Sequence, residues 1–71
     1  MHIALGILVD DACRIAMNYL EASGELGDRD VAIQQIHTTI HAMMTRGEHR
    51  RLVLSNKAII AYQRFKAEEK A

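Results

Sequence analysis

Glycines divide a chain without proline into three segments, each of a length that suits one helix. Gly24 and Gly27 bracket a short break, and Gly47 ends the second segment. Glycine is frequent where a helix closes in a left-handed turn, so these positions predict helix ends. The 71 residues suffice for one domain. We therefore expect an all-α fold, with a single helical domain over residues 1–71.

The first segment predicts a helix from about Ile3 to Ala22. Its apolar residues recur on one side at helical spacing: Leu5, Leu8, Val9, Ala12, Ile15, Ala16, Tyr19 and Leu20. A short strand from Ile3 to Val9 is an open alternative, with Asp10 or Asp11 then capping a shorter helix. The helix is favoured because no second strand is available for pairing.

The second segment predicts a helix from about Arg29 to Arg46. Asp28 is a suitable N-cap, and Gly47 supplies the expected C-terminal signal. Steps of three and four residues give an apolar seam for helix packing: Ile33, Ile36, Ile40 and Met43.

The third segment predicts a helix from about Asn56 to Glu69, with Ser55 as its cap. A start near Glu48 stays open, because Leu54 extends the apolar stripe backward. That stripe consists of Ala58, Ala61, Tyr62 and Phe65. The linker before Ser55 is otherwise irregular, and we expect its apolar residues to lie under the bundle. Helices 1 and 2 should form an antiparallel hairpin, with helix 3 packed across it.

The chain holds more apolar side chain than three short helices can enclose. Apolar residues make up 49% of it, and a chain of this size buries only about 60% of its surface. One cysteine excludes an internal disulfide, which leaves close packing, a metal or a partner as sources of stability. Apolar residues away from the main stripes then mark a contact surface: Ile3, Ile7, Met17, Met44 and Ile60. We expect a homodimer, with another protein as a further candidate partner.

Charge is divided between the two halves of the chain. Residues 1–36 hold six acids and two bases, hence −4, and residues 37–71 hold seven bases and three acids, hence +4. This split favours packing of unlike segments. One basic cluster could contact phosphate or nucleic acid: Arg46, Arg50, Arg51 and Lys57. Acids begin helix 2 and stacking aromatics are few, so a nucleic-acid-associated regulator is only the alternative function.

His37 and His41 are the residues that the sequence offers for a metal, since they are four apart on one helix face. Thr38 stands where the helical zinc-protease pattern needs glutamate, and the sequence places no third ligand. We therefore expect no metal and no cofactor. Cys13 has no neighbouring base and should be a small buried residue. The motifs of phosphate loops and nucleophile elbows are also lacking, so we do not expect an enzyme.

The longest apolar stretch, Ile3 to Val9, falls short of the ~18 residues of a membrane span, and it follows no basic leader. A single cysteine fits a reducing cytoplasm. The sequence thus favours non-enzymatic protein–protein interaction, as a homodimeric adaptor or regulatory protein in the cytoplasm.

Overall fold

The computed structural model describes residues 4–70, and the regular structure in that range is helical. The helices are α1 (Ala4–Ala22), α2 (Arg29–Thr45) and α3 (Arg51–Lys70). The expectation of an all-α, three-helix domain is confirmed. The first segment is a helix from Ala4 onward, so the strand alternative is wrong there. The predicted start at Ile3 and the side chain of Leu5 lie outside the described residues.

The first two helices end in the same way, because each is followed by a glycine with positive φ. Gly24 has a φ of 77°, and its N–H donates to the carbonyl of Glu21 at 3.2 Å. The N–H of Glu25 donates to the carbonyl of Leu20 at 2.8 Å. The same two bonds follow α2 around Gly47. Together they form the Schellman motif, which satisfies carbonyls at a helix end. This is the physical reason why the glycines predicted both ends correctly.

Asp28 begins α2 as predicted. Its carboxylate accepts the N–H groups of Asp30 and Val31 at 2.9 and 3.2 Å. These donors have no partner within the helix, so the cap satisfies them.

The start of α3 at Arg51 corrects the predicted cap at Ser55 and is closer to the alternative start near Glu48. Ser55 is a buried residue inside the helix, and its hydroxyl donates to the carbonyls of Arg51 and Leu52. The helix is capped instead around Arg50, where the carboxylate of Glu48 accepts the Arg50 N–H at 3.0 Å. A serine that bonds back to the preceding turn resembles a cap in sequence, which explains the error.

The predicted irregular linker is therefore wrong from Arg51 to Leu54, because these residues form the first turn of α3. Its apolar residues also differ in burial. Leu54 is completely buried, Val53 is half-buried, and Leu52 is 64% exposed.

Each helix packs against the other two around one core. The buried apolar side chains are Ala12, Ala16, Met17, Leu20, Ala32, Ile36, Ile40, Met43, Leu54, Ala58, Ile59 and Tyr62. Three departures from the predicted stripes stand out. Tyr19 and Ile33 were expected inside but are about half exposed, whereas Met17 was expected at the flank but is only 7% exposed.

Helices α1 and α3 lie side by side and run in the same direction. Arg51, the first residue of α3, pairs with Asp11 in the first half of α1 at 3.3 Å. At the other end, the side chain of Gln63 donates to the carboxylate of Glu25 at 3.2 Å. These contacts fix the relative height of the two helices.

Candidate functional site

Large apolar side chains remain at the surface on all three helices. Within the described residues, five of them are 44–64% exposed: Ile7, Tyr19, Ile33, Leu52 and Ile60. Single exposed apolar residues are ordinary in folded proteins. These five side chains are spread over three helices around a core that is already closed.

The structure separates the predicted interface residues into three groups. Ile7 and Ile60 are exposed, as an interface requires. Met44 is half-buried against the core, and Met17 belongs to the core, so Met17 is corrected to a structural residue. Ile3 lies outside the described residues. Leu52 is exposed but was not among the predicted interface residues. The sequence placed it in an irregular linker, where helical spacing could not assign it to a helix face.

The outer side of α3 presents a cationic and partly apolar surface. Val53 and Ile60 are seven residues apart, as are Lys57 and Arg64, so all four project from one side of the helix. We call these four residues the cationic face. Ile60 lies in a shallow depression formed with Lys57, Ala61 and Arg64. Within residues 4–70, neither Lys57 nor Arg64 forms an ion pair.

The outer side of α1 carries the opposite charge. Ile7, Arg14 and Glu21 follow one another at seven-residue steps, and Asp10 and Asp11 border that line. Arg14 is held by Asp11 at 3.5 Å. Asp10 and Glu21 have no ionic partner among the described residues. We call Ile7, Asp10 and Glu21 the acidic face.

The predicted nucleic-acid contact includes an arginine that is already engaged. The guanidinium of Arg50 donates to both oxygens of Glu48, at 2.9 and 3.0 Å. The hydrogen bonds from the Arg50 side chain and backbone, with smaller contributions from the charges of Arg50 and Lys57, lower the pKa of Glu48 to about 2. This fork is the geometry in which arginine binds a carboxylate or a phosphate. A phosphate would therefore compete with Glu48.

The other members of that cluster differ in their contacts. Arg51 pairs with Asp11 across to α1. Arg46 and Lys57 line a depression together with Glu48. Arg50 and Arg51 are therefore engaged by carboxylates, whereas Arg46 and Lys57 form no ion pair among the described residues.

His37 and His41 stack on the surface of α2, with ring centroids 6.4 Å apart and an angle of 17° between the rings. Nitrogen lone pairs lie in the plane of the ring, so nearly parallel rings do not direct them at one common ion. Within residues 4–70, no three His, Cys, Asp or Glu side chains form a group that could hold a metal.

Burial raises the pKa of the Cys13 thiol, and the nearby charge of Asp10 raises it further. The thiolate is the reactive form of cysteine, so this environment disfavours nucleophilic chemistry. The side chain packs against the core as a small apolar group. It is half-buried, which is less than the sequence predicted.

Comparison with models of protein families, with curated proteins and with solved structures finds no match for this chain. Among the helices described, none combines the length and the apolar character that crossing a membrane requires.

Proposed function

We propose that this protein works by binding other protein chains, as a homodimeric adaptor or regulatory module without catalytic activity. The observation that carries this proposal is the set of large apolar side chains left exposed around a closed core. Full burial of a completely exposed side chain of this kind contributes about 1.5–3 kcal/mol, and covering a half-exposed one contributes about half of that. A partner that covers several of them therefore offsets much of the cost of association.

The proposal includes an antiparallel hairpin of α1 and α2, with α3 packed across it. Val9, near the start of α1, lines a surface depression together with Met44 and Thr45 at the end of α2. This proximity supports opposite directions for the two helices. The cytoplasm is the proposed compartment because Cys13 is a free thiol. Carboxylates engage Arg50 and Arg51, so we do not propose nucleic-acid binding.

Two substitutions test whether Ile7 and Ile60 are interface residues. Ile7→Glu and Ile60→Glu place a charge on side chains that the folded monomer leaves at the surface, so the helical circular dichroism should be unchanged. Self-association should weaken by about tenfold or more, because the apolar contact is lost and an unpaired carboxylate would have to be buried in its place. Light scattering after size-exclusion chromatography measures the mass.

Gln34→Glu is the matched control, because it adds the same charge at an exposed polar position of α2. It should self-associate like the unmodified chain. If both isoleucine variants dimerise as strongly as this control, the proposed anchors are wrong.

A further inference from the structure

The side of the bundle between α1 and α3 has an uncharged centre. Asp11 marks this side on α1, because it contacts Arg51 of α3, and Gln63 marks it on α3, because it contacts Glu25 just after α1. Residues at steps of three or four from these two project from the same sides of the helices. Six uncharged residues at such steps form what we call the neutral face: Leu8, Ile15, Tyr19, Leu52, Asn56 and Ile59.

The neutral face leaves apolar side chains uncovered. Tyr19 is 51% exposed and Leu52 is 64% exposed, whereas Leu8 and Ile15 are half-buried. Ile59 is buried and forms the floor between the two helices. The residues tested under the proposed function lie at the edges of this face, because Ile7 is four residues from Asp11 and Ile60 is four residues from Asn56.

The other two sides of the bundle carry ionisable side chains. Lys57 of the cationic face lines a depression with Met43 of α2, so it lies on the side between α2 and α3. His41 of α2 lines another depression with Val9 of α1, so it lies on the side between α1 and α2. Because the centre of a protein interface is depleted in charged residues, the neutral face is the side that best suits contact with another chain.

The two ends of the neutral face carry opposite charge. At one end, Arg14 and Arg51 both pair with Asp11, which leaves +1. At the other end, Glu25 accepts hydrogen bonds from Gln63 and from a serine hydroxyl, and it has no cationic partner among the described residues, which leaves −1. Such a face is complementary to a second copy of itself that is turned end for end.

A two-fold axis can bring two neutral faces together in this way. The axis lies in the plane of the contact and runs perpendicular to the helices, so α1 lies against α1 and α3 against α3, each pair in opposite directions. Gln63 follows Arg51 by twelve residues, which is about 18 Å along α3. An axis halfway between them, at the level of Asn56 and Lys57, places the Arg51 end of each copy opposite the Glu25 end of the other.

We infer that a second copy of this chain covers the neutral face with its own neutral face, in the opposite orientation. Because Asp11 and Arg51 are at one level, the same axis places Tyr19 of each copy against Ile15 of the other. This inference rests on the proposed function, because it specifies the surface by which the chain associates with itself. The uncharged centre and the opposite charges at the two ends select this occupant.

The neutral face belongs to a surface of the size that such a contact requires. Two adjacent helices of 19 and 20 residues are each about 30 Å long, and together they are about 20 Å wide. The resulting flat area of about 600 Å² is of the order of the about 800 Å² that a standard interface buries on each partner.

Leu52→Glu tests whether the neutral face is the interface. Self-association should weaken by about tenfold or more, because the contact occurs twice and an unpaired carboxylate would have to be buried in each. Ile33→Glu is the matched control, since it makes the same change at an exposed apolar residue of α2, outside the face. It should associate like the unmodified chain. Sedimentation velocity measures association, and circular dichroism checks folding.

A charge exchange tests the orientation. Arg51→Glu and Glu25→Arg should each weaken self-association by about threefold or more at low salt, because each places like charges opposite one another twice. An equimolar mixture should form a heterodimer more strongly than either variant forms a homodimer. Any loss from placing a glutamate beside Asp11 is present in the Arg51→Glu homodimer and in the heterodimer alike, so it does not hide this gain.

Three results separate this inference from the proposed function. If Leu52→Glu associates as strongly as Ile33→Glu, the neutral face is not the interface. If the mixture of charge variants gains nothing, the opposite orientation is wrong. Either result overturns this inference and leaves the proposed function standing, whereas an unmodified chain that never self-associates overturns both.

Discussion

Leu52 and Leu54 show how strongly position decides the role of a residue in this molecule. They are two residues apart on α3, yet one is 64% exposed and the other is completely buried. On a helix, two positions correspond to more than half a turn, so the side chains point in very different directions. The sequence placed Leu54 on a backward extension of the apolar stripe, but it could not assign Leu52 to a helix face, because the helix start at Arg51 was not predicted.

Leu54→Ala should cost about 2–5 kcal/mol of the free energy of unfolding, because it leaves a cavity in the core. Leu52→Ala should change it by less than about 0.5 kcal/mol at low protein concentration, where the chain is monomeric. Urea denaturation followed by circular dichroism measures both values. Similar losses in the two variants would contradict the burial described for this turn.

At the scale of helices, local chemistry explains which ends the sequence predicted well. The α2 helix was predicted closely, because the Asp28 side chain caps its first turn and the Gly47 backbone adopts the positive φ that closes its end. The start of α3 at Arg51 lies between the two starts that the sequence left open, near Glu48 and at Asn56. The sequence did not fix it, because its cap is formed by Glu48 and Arg50 and not by a residue typical of the N-cap. The exposure of Tyr19 depends on how the helices pack, which spacing within one helix does not reveal.

Gly47→Ala should lower the free energy of unfolding by about 1–2 kcal/mol. Its φ of 99° is unfavourable for any residue with a Cβ, although an added Cβ would meet no atom within 4 Å. Gly6→Ala is the control: an added Cβ there also meets open space, but the residue lies within α1. It should stabilise the chain by about 0.5–1 kcal/mol. Thermal unfolding of both variants measures these changes in stability. Two changes in the same direction would contradict the conformations described for the two glycines.

The cap of α3 should respond to acid. The pKa of Glu48 is lowered from 4.5 to about 2, so its contribution to stability is complete above pH 4.5 and is lost as the pH falls through about 2. Titration of the Glu48 carboxyl carbon by NMR should give a midpoint near 2. Arg50→Gln should move that midpoint toward 4.5, since the hydrogen bonds from the Arg50 side chain are the largest cause. A midpoint unmoved by this variant would show that Arg50 does not hold the carboxylate.

For the whole molecule, composition predicted an apolar excess, and the structure shows where the excess lies. Ile7 and Ile60 are at the surface, but Met17 is in the core. Position away from the main apolar stripe of a helix therefore predicted exposure for the two isoleucines but not for Met17. The charge difference between the two halves was visible in the sequence. Its placement on the outer sides of two adjacent parallel helices depended on contacts between distant residues, such as Asp11 with Arg51.

Sedimentation equilibrium of the unmodified chain tests the central claim most directly. A range from about 1 µM to about 1 mM covers association free energies of about −8 to −4 kcal/mol. The apparent mass should rise with concentration from the 8.0 kDa of one chain toward twice that value. A mass that stays at 8.0 kDa up to about 1 mM, with the chain fully folded, would contradict the account.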